Sequence, residues 1–280
     1  RRIRNTARFL IGNLNDFDYE NKKVDYENIY EIDKWAIHKL EELKQKTTEY
    51  YDKYEFYSLF QEISYFCSID MSSFYLDIVK DRLYCEEKNS IERKSAQTVL
   101  AEVLKVLVRI ISPVLSFTAD EIWERLPEAL KDKESVHLSE WIEERKEYKN
   151  YELEKKWSKI QHLRKEVNKK LEAERQNGLI GHSLDARVIL KIDNTEFEFL
   201  KDYEINEVAD LFIVSQVEFV SGNIEELEES EISGISIGVT KALGKKCERC
   251  WKYDKEVGND INHKDVCPRC SKVLSLSEKK

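Results

Sequence analysis

At 280 residues and 41% hydrophobic content, the chain is long enough to bury one large core or two to three smaller ones. Its formal charge of −9 argues against a uniformly basic nucleic-acid binder. No run of eighteen apolar residues occurs and the arginine-rich start has no apolar signal region, so neither a membrane span nor a secretory leader is expected, and a cytoplasmic protein is.

The first residue is Arg1 and the single methionine is Met71, which reads as a C-terminal piece of something longer. Residues 1–150 carry helical patterns. In the first, Ile3, Ala7, Leu10 and Leu14 share one face, while Arg1, Arg4, Asn5 and Arg8 fall on the other. A second pattern starts from Asp33 as N-cap and runs through Ala36, Leu40, Leu43, Thr47 and Tyr50. A third places Phe56, Leu59, Phe60, Ile63, Phe66 and Cys67 in a core. The most apolar helix carries Val99, Leu100, Val103, Leu104, Leu107 and Ile111 and stops at Pro113, as the centre of a bundle would. Thr118 and Glu121, just ahead of Ile122 and Trp123, form a capping-box pattern that starts one more helix, ended by Leu126 and Pro127.

A charged helix is expected over residues 151–176, with Leu153, Trp157, Ile160, Leu163, Val167 and Leu171 as its buried stripe and Asn177-Gly178 as its stop. The pattern then changes to short β-branched runs at 186–192, 211–220 and 235–243, with a helical stretch at 195–203 between the first two. That is a small α+β module. His182, flanked by Gly181 and Ser183, falls in the turn that leads into it, where a turn role suits it better than chemistry.

The chain closes on Cys247-Glu-Arg-Cys250 and Cys267-Pro-Arg-Cys270, the pattern C-x2-C-x16-C-x2-C. Two such turns bring four thiolates to one tetrahedral ion and leave no open position, so a single structural Zn2+ is expected rather than a catalytic one. Redox pairs would want a thioredoxin-like βαβ context that the tail lacks, and a rubredoxin-type iron site is the other use of four cysteines. His263 lies in the intervening loop and is read as a solvated loop histidine. Cys67 and Cys85 lie on helical patterns, where reduced, buried thiols are expected. The predicted fold class is therefore mainly α: a helical bundle over 1–150, a long helix with a small α+β junction module over 151–243, and a four-cysteine zinc knuckle over 244–280.

Charge is segregated along the second half. From Asp193 to Glu231 there are thirteen acidic residues and one lysine, whereas from Lys241 to Lys280 eleven Lys/Arg face six Asp/Glu. The acidic stretch reads as a solvated face. No Gly-rich phosphate loop and no supported nucleophile set occurs, and only eight glycines are present, so no catalytic residue is expected in this chain. What remains is recognition. The face of Arg1, Arg4, Asn5 and Arg8 can set guanidinium forks on phosphates, and Trp251 can offer a stacking plane to an unpaired base, with Lys245, Lys246, Arg249, Lys252 and Arg269 around it. The competing reading packs Trp251 over the metal as a small hydrophobic lid.

Those residues carry a resemblance. The segment from Arg2 to Phe17, the stretches Ser72–Asp77 and Lys80–Tyr84, Pro113 through Trp123, Leu179–Ala186 and the two cysteine knuckles with Trp251 together resemble, in order, the C-terminal part of the bacterial isoleucyl-tRNA synthetases of class I. The helical part is shared in outline with the valyl, leucyl and methionyl enzymes; the terminal knuckle points to the isoleucine enzyme. The resemblance implies a helical anticodon-binding domain whose partner is an isoleucine-accepting tRNA; nothing in the sequence calls for more than a monomer or for a membrane partner. It implies a full-length ligase that uses ATP to load isoleucine, with ATP bound only in a catalytic domain that this sequence does not contain. Neither the HIGH-type nor the KMSKS-type nucleotide motif occurs here. Two further readings stand beside it. The same kind of knuckle ends the formamidopyrimidine-DNA glycosylases, although their N-terminal proline region and helix-two-turn-helix are not found; a zinc-stabilised protein-interaction module would need no nucleic acid.

Overall fold

The structure is a computed structural model that describes residues 1–222 and 227–278. It divides into two compact units, Arg1–Glu154 and Lys155–Lys280.

The first unit is helical: α1 (Arg2–Gly12), α2 (Tyr19–Lys22), α3 (Glu31–Asp52), α4 (Phe56–Tyr65), a π-helical segment (Phe66–Tyr75), α5 (Leu76–Cys85), α6 (Ile91–Ile111) and α7 (Ser116–Glu124). Helix α6 is buried on every side, with Val99, Leu100, Val103, Leu104 and Leu107 fully inaccessible, which marks it as the central helix. Its start is capped by Ser90, whose hydroxyl accepts the Arg93 N–H, and it ends at Ile111, two residues before Pro113. The inner face of α1 is the expected one: Ile3, Ala7 and Leu10 are buried, and Leu14 follows them into the core.

Three expectations need correction. Asp33 is no N-cap. Helix α3 begins two residues earlier, at Glu31, and Asp33 is fully buried on its inner side. Its carboxylate accepts both terminal nitrogens of Arg82, at 2.6 and 3.2 Å, the Tyr75 hydroxyl at 2.7 Å and the Ser95 hydroxyl. The capping residue expected at Thr118 lies inside α7, which starts at Ser116. Glu121 is turned outward, where it pairs with Arg4 and Arg125. In the third pattern Leu59, Ile63, Phe66 and Cys67 are buried, but Phe56 and Phe60 are not. The chain after Tyr65 widens into π-helix, and the freed Cys67 carbonyl accepts the hydroxyls of Ser72, at 2.7 Å, and Thr6, at 3.4 Å.

The π segment buries Asp70 at 6% exposure. Burial pushes its carboxyl up to about 6; the Lys39 ammonium opposes the shift, and the Glu62 and Glu42 carboxylates add to it. A carboxyl raised on folding costs stability wherever it must ionise, so the cost is absent below its ordinary value of 3.8, grows from there to about 6, and is full above that. Asp70→Asn is expected to raise unfolding free energy by about 1–3 kcal/mol at pH 8 and to leave it unchanged at pH 3.5, from ~1.4 kcal/mol per pKa unit. Denaturant titrations at both pH values check this; an equal gain at the two would assign the effect to packing instead.

The second unit opens with the rest of α8 (Tyr151–Gln176), whose stripe Leu153, Trp157, Ile160, Leu163, Val167 and Leu171 is buried as expected. It ends in a Schellman turn: Gly178, at φ +76°, donates to the Arg175 carbonyl and Leu179 to the Glu174 carbonyl. His182 has a turn role, its Nδ1 accepting the Leu184 N–H at 3.2 Å. A four-stranded sheet follows, in the order β2 (Gln216–Val220), β1 (Ala186–Ile192), β4 (Ile235–Lys241), β3 (Glu228–Glu229). Strands β1 and β2 are parallel, so the chain between them must cross over, and it does so through a 3-10 stretch (Thr195–Asp202) and α9 (Ile205–Phe212). Leu211 and Phe212, expected in a strand, close α9 instead. Beyond the sheet lie β5 (Lys245–Lys246) and β6 (Tyr253–Asp254), an antiparallel pair, and α10 (Pro268–Glu278).

Candidate metal centre and nucleic-acid interface

The β5–β6 hairpin carries the first cysteine turn at its tip, and the second turn opens α10. Pro268 stands at the first helical position, where its missing N–H costs nothing, with Cys267 just before it. Backbone bonds close the first turn: Cys247 N–H to the Lys252 carbonyl and Trp251 N–H to the Cys247 carbonyl, both 2.9 Å. Glu248 N–H reaches the Asp265 carbonyl at 2.9 Å and ties the two turns together.

All four cysteines are buried, and their sulfurs lie within 4.8 Å of one another. The Cys250 and Cys267 sulfurs are 3.8 Å apart. Zn–S bonds of ~2.3 Å in a regular tetrahedron give S···S edges of about 3.8 Å, so the set fits a four-thiolate zinc ion. The thiols also show why a cation is needed. The Cys250 thiol is pushed up to about 11, first by the Cys267 thiol beside it. Burial works against the Cys247 thiolate, but backbone hydrogen bonds in the turn outweigh it and bring that thiol down to about 7. Four thiolates this close are stable only around a positive ion, which releases their protons on binding. His263 is half-buried and outside the cluster.

Among the described residues one other cluster, His38, Glu42 and Glu154, has metal-like spacing. Its hydrogen bonding excludes an ion. His38 Nδ1 accepts the Asn150 N–H at 2.9 Å, which places the ring proton on Nε2, the nitrogen facing Glu154 at 3.4 Å and Glu42 at 3.8 Å. Lys39 already bridges the two carboxylates.

The expected recognition residues fall in both units. In the first, Arg1, Arg4, Asn5 and Arg8 are exposed along the outer face of α1, and Arg4 donates to Glu121 at 2.6 Å. In the second, Trp251 is 59% exposed and does not lie buried over the cysteines. Its backbone is left-handed, φ +67°, a conformation that a bulky side chain adopts only when its surroundings impose it. The Lys246 ammonium lies 5.5 Å from the ring centroid, so a cation already sits at its face. Arg249 turns inward, its Nη1 3.5 Å from the Cys270 sulfur, and the Lys252 ammonium is held by Asp210. Arg269 is half-buried in the first turn of α10. Lys246, one of the cations expected around Trp251, is the one at its ring; Glu121 as the partner of Arg4 and Asp210 as the partner of Lys252 were not legible from spacing. Each contact joins residues whose pairing depends on the tertiary fold or on the path of the hairpin.

Residues 33–190 match the family described as the anticodon-binding domain of tRNA ligase, and residues 244–273 match the zinc finger found in FPG and IleRS. Among curated proteins, the chain is 50% identical over 275 residues to an isoleucine–tRNA ligase from Petrotoga mobilis, 47% to one from Kosmotoga olearia and 46% to one from Geobacter sulfurreducens. Each alignment covers 98% of this chain and 29% of the relative, so the chain spans under a third of the length of the proteins it matches. A match that runs through more than half of the chain, on the helices described above, places it: the chain belongs to the anticodon-binding domain family of tRNA ligases.

Proposed function

We propose that the chain is the tRNA-reading part of an isoleucine–tRNA ligase, holding an isoleucine-accepting tRNA by its anticodon region, while the ATP-dependent loading of isoleucine belongs to parts of the enzyme outside this chain. The observation that carries the reading is Trp251. A large aromatic side chain, exposed in a left-handed backbone conformation and set beside a zinc site, is costly for folding and useful for stacking an unpaired base. The joint match to an anticodon-binding domain and to a finger of the isoleucine-enzyme type supports it. In this role the guanidinium groups of Arg1, Arg4 and Arg8, with Asn5, meet phosphates on the outer face of α1; Trp251 stacks on a base; Arg249, Lys252 and Arg269 supply positive field around the thiolates. The zinc ion, when bound, holds the two cysteine turns together and takes no part in a reaction. No helix among the described residues is long and apolar enough to cross a membrane, and the proposed role is that of a cytoplasmic monomer.

The test is binding of the zinc-loaded chain to an isoleucine tRNA transcript and to one with a swapped anticodon, at two salt concentrations. Discrimination by anticodon and weakening at higher salt are expected, since phosphate contacts release counterions. Trp251→Ala is expected to cost about 1–3 kcal/mol, roughly 5- to 150-fold in Kd, with zinc content unchanged. Equal binding of both transcripts, or none, would sink the anticodon reading for this chain.

A further inference from the structure

Three separate contacts hold the zinc knuckle against the sheet of its own unit. The Ser215 hydroxyl, one residue before β2, accepts the Tyr253 N–H at 2.7 Å and donates to the Leu184 carbonyl. Gln216, the first residue of β2, engages both backbone groups of Leu243: its amide nitrogen donates to the Leu243 carbonyl at 2.9 Å, and its amide oxygen accepts the Leu243 N–H at 2.9 Å. Asp210, on α9, binds the Lys252 ammonium. Between these points Gly244, at φ +99°, passes so close to the hairpin that a Cβ there would stand 2.3 Å from the Asp254 carbonyl carbon.

Trp251 lies in sequence between Cys250, a thiolate of the cluster, and Lys252, the residue that Asp210 holds. Its direction is therefore set by two things, the geometry of the cysteine cluster and the attachment of the knuckle to the sheet. Zinc fixes the first; the second is made by Ser215, Gln216 and Asp210, at the start of β2 and on α9, outside the cysteine turns. A knuckle joined to the sheet only by the chain through residues 242–244 would swing, and RNA binding would have to bear the cost of ordering it.

We propose that Ser215, Gln216 and Asp210 are positioning residues that fix the orientation of the knuckle and, through it, the direction in which Trp251 projects; this rests on the reading of Trp251 as an RNA-stacking platform. The clamp works by preorganisation. If the released knuckle spends about a tenth of its time in the clamped pose, affinity for tRNA falls about tenfold without the loss of any RNA contact.

The test uses the zinc-loaded chain carrying Asp210→Ala and Gln216→Ala together, alone and combined with Trp251→Ala. The clamp variant is expected to keep one zinc per chain, to lose slow exchange at the Leu243 amide, and to show an order parameter at the Trp251 indole N–H below about 0.6, where the unmodified chain is rigid. Its affinity for the isoleucine tRNA transcript is expected to fall about tenfold. In the Trp251→Ala background the clamp substitutions are expected to add far less than tenfold, because the platform they aim is gone and only the diffuse field of the knuckle's cations remains to be oriented. A purely stabilising role would predict zinc loss or a lower melting temperature with the indole still rigid. Wild-type affinity with a rigid indole, or a full additive loss in the Trp251→Ala background, would overturn the proposal. If Trp251→Ala itself leaves binding unchanged, the stacking reading fails, and the indole order parameter alone decides whether the clamp orients the knuckle.

Discussion

Cys267→Ser is expected to abolish zinc binding and to unfold residues 245–278 as a block while the helices of the first unit stay intact. The argument is one of supply. Besides its cysteines, the knuckle buries only Val257 and Val273 as apolar side chains among its described residues. At ~1.5–3 kcal/mol for each fully buried side chain, this falls well short of the ordering entropy of some thirty residues at ~1–2 kcal/mol each. Helix α10 has eleven residues, too short to persist alone. A structural zinc ion contributes on the order of 10 kcal/mol or more, and removing one of four thiolates opens the shell. The same reasoning fixes the direction with pH. Metal binding displaces thiol protons, so acidification favours the metal-free state. Zinc stoichiometry, with amide exchange across the β5–β6 hairpin, is the measurement. Retained protection at the Cys247 and Trp251 amides in a zinc-free variant would show that the knuckle folds without the ion.

What could be read before the structure was known follows from which interactions are local. The stripe of α8 and its stop at Gly178, the inner face of α1 and the all-round apolar character of α6 are helical periodicities and capping signals, written in neighbouring residues. The cysteine pattern is equally local, because each turn brings its own two sulfurs together. The failures have the opposite character. Residues 211–220 looked like one β-branched run because α9 ends without a glycine: Ile213 takes the left-handed position itself, at φ +55°, and Val214 N–H closes the turn on the Ala209 carbonyl at 3.0 Å. The contact between Lys252 and Asp210 is invisible to spacing, since 42 residues separate them in sequence. Asp33 looked like a cap because acidic residues near a helix start usually are, and its three side-chain partners come from other elements. Sequence pattern carries the scaffold; the roles of charged residues are assigned by tertiary pairing.

Asp33 is where that pairing has its largest consequence for the helical unit. The carboxylate is wholly inaccessible, and its charge is balanced by Arg82, whose guanidinium also donates to the Glu92 carbonyl at 2.8 and 3.0 Å and stacks on Tyr30 with its centre 4.7 Å from the ring. The network joins α3, the π segment, α5 and α6, so it fixes how those helices meet. Arg82→Ala strands a buried carboxylate with only two hydroxyl donors and leaves the Glu92 carbonyl without its guanidinium. Loss of one partner of a buried pair costs about 3–5 kcal/mol, and at roughly 2–4 °C per kcal/mol for a unit of this size the melting temperature should fall by about 6–20 °C. Substituting both partners removes the uncompensated charge, so the double variant Asp33→Asn with Arg82→Met is expected to be more stable than Arg82→Ala alone. Thermal unfolding of the unmodified chain, Arg82→Ala, the single variants Asp33→Asn and Arg82→Met, and the double variant decides it. If the double variant loses as much as the sum of its single substitutions, the pair is not coupled, and the cost of Arg82→Ala comes from its stacking and backbone contacts instead.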